Sequence, residues 1–197
     1  MEEGLAVALG VAGAGAGAAA HSMVAVPPGV GRAAMNLKRL LNHATSSGVA
    51  LRRAFSPTVL LAIQAEIAGS ERRHGGEIRF AIENSLSPLA IWHGVTPRQR
   101  AIEVFAQLGV WDTEHNNGVL IYLLWADHGV EIVADRGFNG RVSEAQWAAV
   151  CRAMELDLAR ANCQSAITTA IRATGDLIAR YFPTPDGNEL PDRPVML

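Results

Sequence analysis

Apolar residues along the chain follow two periods, and the switches between them mark out the elements. Ser56-Pro57 opens the first confident helix, with serine able to cap and proline suited to the first helical position. Leu60, Leu61, Gln64, Ala65, Ile67 and Ala68 are its predicted inward face, and Gly75-Gly76 ends it after about Arg73. From Glu77 the period drops to two, because Ile78, Phe80 and Ile82 alternate with polar or small neighbours, as in a strand. After a turn-rich stretch at Asn84 to Pro88, Thr96-Pro97-Arg98-Gln99 forms a capping box, and a helix runs from it to Leu108, stopping at Gly109. Val119 to Ala126 is unbroken and apolar, the pattern of a central strand covered on both faces. Asp127-His128-Gly129 then turns the chain into Val130 to Val133 as an antiparallel hairpin. Ser143-Glu144-Ala145-Gln146 is a second capping box, opening a helix through Trp147, Val150, Met154 and Leu158. A last helix covers Ala166 to Phe182, where Pro183 ends it.

The order helix, strand, helix, strand, strand, helix, helix predicts an α/β fold in one domain. Its small mixed β-sheet is a β-α-β unit plus an antiparallel hairpin, flanked by helices on both faces, with the crossover right-handed. This domain is expected over residues 55–183. Residues 184–197 are Pro-rich and polar and read as a disordered tail. Residues 35–54 form a basic segment whose Leu37, Leu40 and Leu41 make a short stripe beside Lys38, Arg39, Arg52 and Arg53. A helix packed on the domain or a solvated leader is the leading reading there, ahead of contact with a membrane surface. Residues 1–34 are Ala/Gly-rich and read as a disordered leader or a misplaced start, with Met35 as the alternative beginning. The leader lacks the early Lys or Arg of a secretory signal and is too diluted with glycine to make a good membrane span.

Composition adds few constraints. With 197 residues, 49% hydrophobic and 18% charged, the chain can bury one real core. A net charge of −2 gives no basic field to recruit nucleic acid, so no nucleic-acid partner is expected. Cys151 and Cys163 match no CxxC or zinc spacing and read as buried free thiols in a reducing compartment. Gly137-Phe138-Asn139-Gly140 lacks the Lys-Ser/Thr of a phosphate loop, and no organic cofactor is expected. His74, His93, His115 and His128 fall in four turns without metal spacing and read as surface residues. Trp92 and Trp111 sit in loops, where packing over helix ends is the default and an exposed partner anchor the alternative; Trp125 and Trp147 read as core.

The best chemical cluster is Asp112, Glu114, His115, Asn116 and Asn117, in the loop feeding the central strand. If the hairpin turns at Asp127 and His128, Asp135 returns to the same end of the sheet. Oxygens of Asp112, Glu114, Asn116 and Asp135 are therefore the candidate ligands for Ca2+ or Mg2+, which could polarise a phosphoryl oxygen. The competing reading is a solvated loop with a tight turn at Asn117-Gly118.

Four stretches carry a family resemblance: Gly76-Glu77-Ile78-Arg79-Phe80, Val104-Phe105-Ala106-Gln107-Leu108-Gly109, Asn117-Gly118-Val119-Leu120-Ile121-Tyr122-Leu123 and Glu131-Ile132-Val133-Ala134-Asp135-Arg136-Gly137. With the closing Ala179-Arg180-Tyr181-Phe182-Pro183, this order and spacing resembles the TPM domain family of bacteria and chloroplasts. The resemblance implies a small α/β sandwich. Some relatives are membrane-anchored or exported, and plant relatives serve photosystem repair and have been proposed as acid phosphatases or calcium binders. This sequence departs from the family where chemistry would sit: Asn116 and Asn162 stand where many relatives are acidic, and Arg136 stands where close relatives often place an acid. Each change weakens attraction for a hard cation. The expectation is a non-catalytic or regulatory module in cell-envelope or membrane-protein maintenance. It would be cytoplasmic, with peripheral association at the inner membrane face, and recruited by a protein or membrane-surface partner. The alternative is a metal-assisted phosphatase using Asp112, Glu114 and Asp135.

Overall fold

The structure, a computed structural model, describes residues 30–160 and 163–197, with side chains from residue 37 onward. Most of the expected leader, residues 1–29, and Asn162 lie outside the described residues. Four strands, β1 (Glu77–Glu83), β2 (Gly118–Leu124), β3 (Gly129–Ala134) and β4 (Val195–Met196), form one sheet in the order β3-β2-β1-β4. β1 lies parallel to β2 and to β4, and β2 pairs antiparallel with β3. Among the described residues seven helices surround it: α1 (Val30–Thr45), α2 (Gly48–Ala54), α3 (Pro57–Glu71), α4 (Pro88–Trp92), α5 (Pro97–Gln107), α6 (Glu144–Ala159) and α7 (Cys163–Ala179). The mixed sheet and two-sided helical cover are those the sequence predicts.

Period two divides the sheet's side chains between two cores. Ile78, Phe80 and Ile82 of β1 and Val119, Ile121 and Leu123 of β2 meet α3, α6 and α7. Ala81, Leu120, Tyr122 and Leu124 point the other way and pack with Ile91 of α4 and Ala101 and Val104 of α5. Every residue of β2 is buried, as its unbroken apolar run requires. Each large aliphatic side chain so covered contributes about 1.5–3 kcal/mol over leaving it in water. The local start signals operate as the sequence implies. Ser56 accepts from Val59 N, and both Thr96 and Ser143 form complete capping boxes with Gln99 and Gln146.

Four expectations are corrected. The inward face of α3 is Ile63, Ile67 and Ser70, while Leu61 is exposed, because close packing against α7 turns the helix toward that neighbour. Pro88 to Trp92, read as turn, is a short helix capped by Ser87. The domain also begins earlier than residue 55: Leu51 and Phe55 enter the core, and α1 docks on α4 and on the 3-10 turn Trp125–Asp127.

The fourth correction is the tail. Rather than a disordered extension, residues 184–197 run along the free edge of β1. Ala81 pairs with Val195 and Ile82 with Met196, Leu197 N donates to Ile82 O, and Leu190 N donates to the Glu77 carboxylate. Leu190 and Pro194 are buried. An uncovered β1 edge would leave its peptide groups open to other chains, and the tail pairs with that edge at Ala81 and Ile82.

Candidate functional site

The loop before β2 and the segment after β3 do meet at one end of the sheet. Asp135 N donates to Gly118 O at 2.9 Å, and Gly137 N donates to Asn116 O at 2.9 Å. Asn116 takes the left-handed conformation, φ 54°, which asparagine tolerates better than most residues. Of the four candidate ligands, Asn116 and Asp135 come together here, but their oxygens are largely committed. Asp135 Oδ1 accepts from Arg136 N at 2.7 Å and caps the short turn Arg136–Phe138. The Arg136 guanidinium donates through Nε to Asn116 Oδ1 at 2.5 Å.

Asp112 and Glu114 do not join them. Both are exposed, and Glu114 instead donates its backbone N–H to the Glu189 carboxylate at 3.0 Å. Among the described residues no three His, Cys, Asp or Glu stand together as a cation cage. One oxygen, Asp135 Oδ2, is buried without a hydrogen-bond partner and is the atom a cation would meet. A hard cation needs several anionic oxygens, and a guanidinium in the same pocket opposes it. The residues present do not fit a carboxylate-held metal centre.

The tail brings groups to this end that sequence reasoning missed. His115 Nδ1 lies 3.7 Å from Asp186 Oδ2. Asn117, read as part of a solvated tight turn, is fully buried; its Nδ2 donates to Gly75 O and its backbone N–H donates to Thr113 Oγ1 at 3.1 Å. Glu77, at the start of β1, is 2% exposed and accepts from Leu190 N at 3.0 Å. Burial raises its carboxyl above the usual range, and Asp186 and Glu189 add to the rise. Glu71, at the end of α3, accepts from Ile78 N through Oε1 at 2.7 Å, while no donor reaches its buried Oε2 and the Asp192 carboxyl stands beside it as an acceptor for its proton. Burial pushes this carboxyl up to about 9, against the Ile78 hydrogen bond and with help from Glu77 and Asp192. The only sequence signal for this cluster was a glutamate opening an otherwise well-buried strand.

His74 corrects the surface reading of the histidines. It is 1% exposed, its Nδ1 accepts from Gly76 N, and its Nε2 faces Ser70 Oγ at 3.0 Å. The first bond places the ring proton on Nε2, and burial, aided by Arg73, lowers the pKa to about 4. Cys151 and Cys163 are free and half-buried; burial pushes the Cys151 thiol up to about 11, which leaves it unreactive.

At the opposite end of the sheet, Asp127 anchors α1. Its carboxylate accepts from Arg39 Nη2 at 2.7 Å and faces His43 Nε2 at 2.9 Å, while His43 Nδ1 accepts from Leu86 N. Burial works against the charge, but the bonds from Arg39 and His43 prevail and hold Asp127 below the usual carboxylate range. Arg39 is therefore not a free surface cation, whereas Lys38, Arg52 and Arg53 are exposed. Trp92, 76% exposed beside Leu89, and Trp111, 52% exposed, do not pack over helix ends as expected. Trp125 and Trp147 are half-buried, edge-on to Phe55 and Phe138. Among the described residues no helix is long and apolar enough to cross a membrane.

Comparison with solved structures gives the fold its relatives. The chain is similar to the BA42 protein of the psychrophilic bacterium Bizionia argentinensis, with 29% identity, 72% of this chain and 94% of that one covered, and a TM-score of 0.64. It shares its fold with the N-terminal domain of a protein from P. gingivalis, at 13% identity, 68% and 82% coverage and a TM-score of 0.53. No curated protein matches. Residues 51–177, from the end of α2 to the last turns of α7, match the TPM domain, and with the strand order and motif positions described above they place this chain in the TPM domain family.

Proposed function

We propose that the chain is a non-catalytic TPM module, a regulatory or recruitment domain in cell-envelope or membrane-protein maintenance that works by binding a protein or membrane-surface partner. The observation that carries this reading is the Arg136 guanidinium on Asn116 Oδ1. It puts a positive charge and a hydrogen bond where a cation would need an anionic oxygen, while Asp135 spends one oxygen on its own turn. The exposed Leu89 and Trp92 on α4 supply apolar surface of the kind partners use. Calorimetric titration of the full chain with Ca2+ and Mg2+ tests it. No binding at millimolar metal, and no metal-dependent aryl phosphate hydrolysis above an Asp135→Asn control, are the expected results.

The second reading, a metal-assisted phosphatase, rests on the one orphaned oxygen, Asp135 Oδ2. Stoichiometric metal binding that disappears in Asp135→Asn, with the fold intact by circular dichroism, would establish it and overturn the first.

A further inference from the structure

The covering of the β1 edge by the tail creates a cleft of about 930 Å³ between α3 and the last residues of the chain. That volume lies in the upper part of the range of small-molecule sites, about 300–1,000 Å³. Its walls are mainly apolar: Leu60 and Leu61 from α3, and Pro194 and Met196 from the tail, with Gln64 on the helix side and the exposed Arg193 on the tail side. Arg79 of β1 lines it as well, just beyond the point where β4 stops pairing.

Arg79 is poorly matched by its own protein. It is 6% exposed, its buried Nε has no hydrogen-bond partner, and Nη1 reaches only Arg193 O, at 3.5 Å. A guanidinium has five donors and stays charged, so leaving them idle in a dry site is costly. Two carboxyls act on it, Asp192 and Glu71. Burial holds Glu71 protonated near neutral pH, which removes its charge from beside Arg79 there. Desolvation outweighs their attraction and lowers the affinity of Arg79 for its proton.

We propose that this cleft binds a small amphiphilic carboxylate, its head on the Arg79 guanidinium and its apolar chain along Leu60, Leu61 and Met196. A planar carboxylate matches the guanidinium fork and brings a single negative charge to a single under-bonded cation. A dianionic phosphate would bring a second charge, and the other cation of the lining, Arg193, is exposed to water, where its attraction is screened. The apolar walls select for a tail, and because the tail segment of the chain forms one wall, a bound acid would also hold residues 191–196 against α3. This site is separate from the loop around Asn116 and Asp135 and does not depend on the reading given to that loop.

The test is isothermal titration of the full chain with decanoate and with decanol, both below the concentrations at which they aggregate. Decanoate is expected to bind saturably at one site, about tenfold or more tighter than the alcohol, the margin of one charge-assisted hydrogen-bonded pair. Leu61→Glu, on an exposed rim position, should leave the fold unchanged by circular dichroism and weaken decanoate at least about tenfold by setting a carboxylate where the apolar chain would lie. Arg79→Gln should make acid and alcohol bind equally. If that variant does not fold, the acid-to-alcohol ratio in the wild type and the Leu61→Glu result still decide. Absence of saturable decanoate binding, equal affinity for decanol, or undiminished binding in Leu61→Glu would each overturn the proposal.

Discussion

Replacing Glu71 with glutamine should stabilise the domain, by an amount that grows with pH. In the native protein the carboxyl is buried at the end of α3, with Oε1 on Ile78 N and Oε2 facing no donor. Its pKa rises from 4.5 to about 9, first through burial and then through Glu77 and Asp192. The folded chain therefore keeps this proton up to about pH 9, while the unfolded chain releases it near pH 4.5. Between those values the unfolded state binds fewer protons, so stability falls as pH rises. Glutamine keeps the acceptor for Ile78 N, places an amide where the orphaned oxygen stood, and has nothing to ionise.

At about 1.4 kcal/mol per pH unit, the interval from the ordinary carboxylate value to pH 7 corresponds to a ceiling of about 3 kcal/mol. Rearrangement of the tail around an ionised Glu71 reduces that, and a gain of about 2 kcal/mol at pH 7 is the working expectation. Urea unfolding of wild type and Glu71→Gln at pH 4, 7 and 8.5, followed by circular dichroism, measures it. The two proteins should be nearly equal at pH 4 and diverge steadily above it. A variant less stable than wild type at pH 8.5, or a difference that does not change with pH, would refute the reasoning.

Four further outcomes are expected. His74 has a folded pKa lowered to about 4, so the stability it contributes is present above its ordinary 6.5 and lost as pH falls through 4; urea midpoints should show this acid limb, and His74→Gln should flatten it. Tyr122 donates to Glu83 Oε2 at 2.7 Å and Arg100 Nε to the same oxygen at 2.8 Å, so Tyr122→Phe should cost about 1 kcal/mol and Arg100→Met about 2 kcal/mol by denaturation. A Cβ at Gly175 on α7 would run into Ser70 Oγ and His74 Nε2 of the facing helix end, and Gly175→Ala should lower stability by about 2 kcal/mol, read as a drop in melting temperature. Asp127→Asn should loosen α1 by unseating Arg39 and His43, seen as faster protease cleavage within residues 37–45 while the rest of the domain resists.

What could be read in the sequence divides by the sequence distance of the bonds involved. β1 was legible because Ile78, Phe80 and Ile82 declare their face locally, and the starts of α3, α5 and α6 because a cap and its partner sit three residues apart. α1 was harder to place: Leu37 to Leu41 reads as a brief stripe, and what settles its position is His43 on Asp127, 84 residues away. The face of α3 was misplaced for a related reason. Leu60, Leu61, Ile63 and Ile67 leave two apolar stripes to choose between, and the choice was made by Gly175, whose missing side chain lets α7 come close at Ser70.

The tail shows the same limit most sharply, and it also alters the candidate site. Leu190 and Val195 are isolated apolar residues among prolines and acids, so no periodicity could nominate them. Their partners, Glu77 for Leu190 N and Ala81 for Val195, lie on β1, more than a hundred residues earlier. A Pro-rich, polar composition reads as disorder, yet Asp186 and Glu189 come to rest beside His115 and Glu114. Counting ligands within the loop alone therefore undercounted the acids at that end of the sheet, and still the added acids make no cation cage among the described residues, because Glu189 is turned to a backbone N–H and Asp186 toward His115 and Asn117. Their use is structural: they fasten the tail to the loop, and the tail in turn closes the edge of β1 and walls the cleft over Arg79. A residue such as Glu77, which looks like one more polar position in an alternating strand, is the point through which the end of the chain is tied to its sheet.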